Sequence, residues 1–145
     1  MPSELTVVET LPAGPALQFR VGLESGQKTG WFYDQTFNRS LLGRFLPPNA
    51  RVLDVCSYAG GWACTAAALG ASGVECLDSS ASALERAAAN LAANASQVPN
   101  PAARSLRLHR GDAFDVLAAL AARRTAFAEW AQMLGAQGIS LTPPR

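Results

Sequence analysis

Residues 51–71 read RVLDVCSYAGGWACTAAALGA. An apolar run reaches an acid at Asp54, a glycine pair follows at Gly60-Gly61, and a small-residue segment with helical character comes next. Strand, glycine turn and helix form the corner at which α/β proteins hold nucleotides. The turn itself, Cys56-Ser-Tyr-Ala-Gly-Gly61, lacks the G-x-G-x-x-G spacing of a dinucleotide site, and the chain has no G-x-x-x-x-G-K-[ST] loop. The corner therefore predicts a ligand without a pyrophosphate.

Downstream the pattern alternates. Residues 51–56 read as a strand, 61–69 as a helix, 73–77 as a strand and 80–95 as a helix rich in Ala, Leu, Glu and Arg. A Pro- and Asn-rich loop over 96–103 leads to a strand at 105–109 and a helix at 112–122. That order predicts a parallel sheet with right-handed crossovers. Beyond it, Phe127, Trp130, Met133 and Leu134 fit one helical face, and residues 139–142 a very short strand. Upstream, Leu5-Thr-Val-Val-Glu9 and the alternating Leu17-Gln-Phe-Arg-Val21 flank turn chemistry at 11–15. With a second turn at 24–30 leading into Trp31-Phe32-Tyr33, they predict a small antiparallel β-meander. Asp34 suits the N-cap of a helix over 35–45, with Phe37, Leu41, Leu42 and Phe45 on one face and Pro47-Pro48 ending it. The expected organisation is a meander (1–34), a partial α/β core (35–122) and a divergent tail (123–145).

The 145 residues are 49% hydrophobic and 16% charged, enough for one globular core. A net charge of +1 gives no compositional case for nucleic-acid binding. Eleven of the twelve basic residues are Arg, which suits planar anion recognition but also follows from a GC-rich genome. Cys56, Cys64 and Cys76 form no C-x-x-C pair and there is one His, so no metal site is expected. Cys56 and Cys76, in apolar runs, are expected to behave as small buried hydrophobes in a reducing cytoplasm. No apolar run predicts a membrane span.

In an open α/β sheet, ligands lie beyond the carboxyl ends of the strands. Asp54, Asp78 and Asp112 all fall near such ends. Gly60 and Gly61 are expected to let a ligand approach the backbone. Asp78 suits a ribose diol, and Asp112 with the N–H of Ala113 suits an adenine edge. A carboxylate near the first turn favours a cationic ligand, and S-adenosylmethionine, with its ammonium and sulfonium, matches three acids better than an anionic dinucleotide. Each acid also suits a plainer role, since Asp78 and Asp112 both precede helices.

Four segments occur in one order: G-Q-K-T-G-W-F-Y-D-Q-T-F-N-R (26–39), R-V-L-D-V-C-S-Y-A-G-G-W (51–62), L-D-S-S (77–80) and G-D-A-F (111–114). Together they resemble the class I SAM-dependent rRNA methyltransferases of the PUA-containing large-subunit rRNA (cytosine-5) group, over about residues 5–122. The resemblance implies a partial Rossmann-like methyltransferase fold of three parallel strands with helices. It implies a first cofactor motif from Asp54 through Cys56, Tyr58, Ala59 and Gly60 to Gly61, a ribose contact at Asp78 with Ser79, and an adenine contact at Asp112 and Ala113. It also makes Asp34 and Arg39 candidate cofactor contacts and Lys28 and Thr29 candidate substrate contacts. Their plainer readings are an N-cap for Asp34, a surface helix charge for Arg39 and a hairpin turn for Lys28 and Thr29.

Members of that group begin with a PUA RNA-binding domain and continue past a fourth strand ending in D-P-P-A-F to a cysteine nucleophile that adds to cytosine. Here the likeness fades after Ala122, and none of the three cysteines matches the nucleophile. The expectation is a chain truncated at both ends that carries the cofactor half of an RNA methyltransferase, with no catalytic residue of its own. Its first core strand would be a free edge open to self-association. The competing reading is a non-enzymatic remnant or SAM-binding pseudo-domain. A Rossmann oxidoreductase ranks below both for want of the glycine fingerprint.

Overall fold

A computed structural model describes residues 3–12, 14–23 and 30–122. The expectations for Lys28, Thr29, most of the 24–30 turn and the 123–145 tail lie outside those residues.

Strands β1 (Glu4–Thr10) and β2 (Ala16–Gly22) form an antiparallel hairpin, with Val7 opposite Phe19. The meander has two strands among the described residues; Trp31 and Phe32 lie in irregular chain and Tyr33–Gln35 form a 3-10 turn. Alternation places Leu17, Phe19 and Val21 inward, where Phe19 meets Trp31 with ring centroids 4.5 Å apart.

The helix expected over 35–45 is shorter, and of its expected inward face Leu42 packs against the core while Phe37 and Phe45 do not. α1 covers Thr36–Leu41 between 3-10 turns. Phe37 and Phe45 are 69% and 76% exposed, whereas Arg39 is buried. A short helix carries too little apolar surface to set its own orientation. Here a buried ion pair made by Arg39 sets it. Asp34 does not cap α1: it lies in the preceding 3-10 turn, where its Oδ2 accepts from Gln35 Nε2.

From residue 51 the expected alternation holds: β3 (Arg51–Val55), α2 (Gly61–Ala68), β4 (Gly73–Asp78), α3 (Ala81–Ala93), β5 (Leu106–Arg110) and α4 (Ala113–Ala122). The three strands are parallel, in the order β3-β4-β5. Ser80 caps α3, accepting from the N–H of Ala83. The 96–103 stretch, expected as loop, contains two 3-10 turns, Ala95–Gln97 and Pro101–Arg104.

One core joins hairpin and sheet. Val7, Leu17, Phe19, Val21 and Trp31 pack in the same cluster as Cys64, Val74, Cys76, Leu84 and Leu91. Ala63, Ala66, Ala67 and Ala68 are all buried on α2, small enough to let that helix lie close to its neighbours. Among the described residues no helix is long and apolar enough to cross a membrane.

Candidate functional site

The register fixes how the three acids stand. Asp54 is level with Cys76, and Asp78, two residues further along β4, is level with Arg110. Asp112 lies two residues beyond Arg110. The acids therefore climb outward by two residues per strand, and their burial follows: Asp54 is buried, Asp78 half-buried and Asp112 exposed.

From β3, Asp54 reaches the first turn of α2, where its Oδ2 accepts from the N–H of Ala63 at 3.1 Å. Burial pushes its carboxyl up to about 7, against the opposing pull of that N–H and of the Arg39 charge, with Asp78 adding to the rise. At 7% exposure it contributes almost no surface of its own.

Asp78 ties two turns together. Its Oδ2 accepts from the N–H of Tyr58 and its Oδ1 from the N–H of Ser80, both at 2.9 Å. Ser79 beside it is exposed. Asp112 has the capping role its position allowed: Oδ1 accepts from the N–H groups of Phe114 and Asp115 at the start of α4. Ala113 is the first residue of that helix.

The turn between β3 and α2 is strained. Cys56, Tyr58 and Gly60 have φ of 58°, 47° and 76°, so two non-glycine residues hold left-handed conformations. Asp78 supports one of them, Tyr58, whose hydroxyl also donates to the carbonyl of Gly30 and whose ring meets Phe32 edge-on at 5.8 Å. Ala59 is buried, its carbonyl accepting from Asn90 Nδ2.

Both glycines are required by close packing in the direction a Cβ would take. A Cβ on Gly60 would stand 2.8 Å from the Ala87 Cβ, and one on Gly61 would stand 3.0 Å from Trp31 Cη2 and 3.4 Å from Arg39 Cδ. On that side α3, the indole and the Arg39 side chain leave no room for a larger residue.

Arg39 is not the surface charge of its plainer reading. It pairs with Glu9 through Nε at 2.9 Å and through Nη2, and its guanidinium lies 4.7 Å above the Trp31 ring. Glu9 also accepts from Trp31 Nε1 at 2.8 Å and Thr36 Oγ1 at 2.7 Å. Burial raises its carboxyl, but these bonds and the Arg39 charge outweigh it and leave the group below its ordinary range. Sequence reasoning missed Glu9. The available signal was its phase: it shares the inward face of β1 with Val7.

The thiols separate by environment. Cys56 is exposed, contrary to expectation, because the strand ends before it and the chain turns outward. Cys64 and Cys76 are buried; burial raises both thiols, Cys76 to about 12.

The same fold occurs in solved structures of proteins named as SAM-dependent methyltransferases. A protein named as such from Streptococcus mutans superposes with a TM-score of 0.68 at 22% identity, over 86% of this chain and 30% of its own. The SAM-dependent methyltransferase of Agrobacterium tumefaciens gives 0.65 at 23%, over 85% and 37%. In sequence, the ribosomal RNA large subunit methyltransferase of Deinococcus radiodurans is 45% identical over 78 residues, which are 54% of this chain and 19% of the relative. Ribosomal RNA large subunit methyltransferase I of Shewanella amazonensis is 38% identical over 90 residues, 58% and 22%. The Escherichia coli enzyme of that name is 35% identical over 109 residues, 70% and 27%. The chain thus spans about a fifth to a quarter of the length of these relatives. No family model matches it.

Proposed function

We propose that the chain is the cofactor-binding part of an S-adenosylmethionine-dependent methyltransferase that acts on ribosomal RNA in the cytoplasm, at cytosine C5 and within the PUA-containing group. The observation that carries the reading is the stair of carboxylates Asp54, Asp78 and Asp112 across three adjacent parallel strand tips, behind a strained glycine turn. The names of the sequence relatives support the RNA substrate.

The residues fit the group. Each Asp78 oxygen takes one backbone N–H and keeps capacity for a second donor, as a ribose diol requires. Asp112 Oδ1 serves two helix amides, so an adenine amine falls to Oδ2. Asp54 adds negative charge behind the turn, which favours a cation. When bound, the cofactor supplies a methyl group on a positively charged sulfur. The chain's own part is to accept the diol, hold the turn and set the local charge.

Attack on cytosine needs a thiolate. Cys64 and Cys76, buried with raised thiols, are unsuited to it, and Cys56, though exposed, is part of the proposed cofactor turn itself. Titration calorimetry of the 145-residue chain is therefore expected to show saturable binding of S-adenosylmethionine and S-adenosylhomocysteine. Tritium transfer from labelled cofactor to ribosomal RNA is expected to stay at background. Absence of binding would overturn the cofactor reading, and clear turnover would overturn the assignment of this chain to cofactor binding alone.

A further inference from the structure

Arg39 occupies an electrostatically awkward place. Its side chain and the Trp31 indole fill the space against Gly61, the first residue of α2, where the helix presents its positive end. A buried cation there is unfavourable unless anions flank it. Two do. Glu9 holds the guanidinium directly, and Asp54, bonded to the N–H of Ala63 in the same helical turn, feels its charge. Nη2 also donates to the carbonyl of Phe32 at 3.2 Å and to Thr36 Oγ1 at 3.3 Å, so the fork is fixed from several sides. Arg39 is 3% exposed and does not reach a ligand itself.

We propose that Arg39, clamped by Glu9, is a positioning residue for the cofactor turn: it sets Gly61 at the start of α2 and places a fixed cation against the helical turn whose Ala63 N–H holds Asp54. The inference rests on the cofactor reading given above. Besides Arg39 on α1, the groups acting on or feeling the charge of Asp54 are Asp78 at the end of β4, Cys76 within β4 and Cys64 on α2. Of these Arg39 is the one cation. The Asp54 anion should therefore be most sensitive to it, and affinity for a cationic ligand should rise with pH as Asp54 ionises.

The test is calorimetric titration of the full chain with S-adenosylmethionine between pH 5.5 and 8.5. Removing Arg39 alone would strand the Glu9 charge in the interior. The informative variant is therefore the double replacement Glu9→Gln with Arg39→Met, checked for folding by its thermal melt. The midpoint of its affinity profile is expected to move up by as much as about one pH unit, with binding at pH 7 weakened up to roughly fivefold. Arg39→Lys, which keeps the charge, is expected to hold the midpoint near that of the parent chain. If the double variant does not fold, Glu9→Gln alone gives the opposite sign: an unneutralised Arg39 acts on Asp54 at full strength and the midpoint falls. Weaker binding with an unmoved midpoint in these variants would reduce Arg39 to a packing residue and overturn the inference. No binding by the parent chain would overturn the cofactor reading and this inference with it.

Discussion

Asp54 sets a conflict between stability and binding. Its carboxyl titrates at about 7 in the folded protein and near its ordinary 3.8 when unfolded, because burial disfavours the charge. Between those values the folded state binds the proton more tightly. Stability conferred by this group is therefore present at low pH and lost as pH rises from about 4 to about 7. The gap corresponds to roughly 4 kcal/mol as an upper bound. Glu9 and Glu75 act the other way in a lower window: their carboxyls are depressed in the fold, so their contribution is lost as pH falls below about 4.5. Asp54→Asn should thus flatten the decline of urea-unfolding free energy between pH 5 and 7 and raise stability at pH 8 by about 1–3 kcal/mol. It should also weaken S-adenosylmethionine binding. An Asn variant no more stable than the parent chain at pH 8 would show that Asp54 is not held against its charge. Gly60 makes a separate, steric prediction. Alanine there must adopt φ of 76° and press on the Ala87 Cβ, so Gly60→Ala should cost about 2–4 kcal/mol. Ala87→Gly in the same chain should recover the contact part and leave the backbone part, a partition that a double-mutant cycle in urea measures.

The elements carry a joint that their own patterns do not announce. Asn90 in the last turn of α3 and Asn94, its C-cap, lie four residues apart and both are buried. Asn94 accepts from the N–H of Gln18 at 2.9 Å and donates to its carbonyl at 2.7 Å. Asn90 does the same for Arg20, at 2.8 and 3.2 Å, and donates to the carbonyl of Ala59 at 3.0 Å. Two side-chain amides thus stand in for a missing strand along the outer edge of β2, and one of them also reaches the cofactor turn. Asn90→Ala removes partners from three backbone groups and should destabilise the chain by about 2–4 kcal/mol. Amide exchange at Arg20 should accelerate more than at Val74; equal protection at Arg20 would refute the joint. The alternating strands and helices after residue 51 were legible because period and turn chemistry are local. So were the three acids, since the order of elements places them at strand tips. Glu9, Arg39 and Asn90 were not, because their partners lie 30 to 70 residues away in sequence. A buried Glu in a strand reads like an exposed one, and Asn in an alanine-rich helix reads like surface. The helical face assigned to Phe37 and Phe45 failed for the same reason, since the distant Glu9 orients α1.

For the assembled chain, the edges of its two sheets differ in protection. The outer edge of β2 is closed by the two asparagines, and β5 carries Arg107, His109 and Arg110 along its length, charges of the kind that discourage pairing. His109 is further held to Glu75 at 2.6 Å, and Glu75 to Arg51 at 2.9 Å, across all three parallel strands. Beyond Arg51, β3 presents no exposed charge, its one acid, Asp54, being buried. Among the described residues it pairs with β4 alone, and Val55 is 40% exposed with Leu53 half-buried beside it. An apolar edge strand offers its free N–H and C=O groups to any strand of matching register. The 145-residue chain by itself is therefore expected to self-associate, with a sedimentation mass that rises above the 15.2 kDa monomer as concentration increases. Val55→Lys places a charge beside that edge without touching the core, so it should return the chain to monomer while leaving the melting temperature within a few degrees. A parent chain that stays monomeric at every concentration would show the β3 edge to be covered. A Lys variant that still associates would move the contact to another surface.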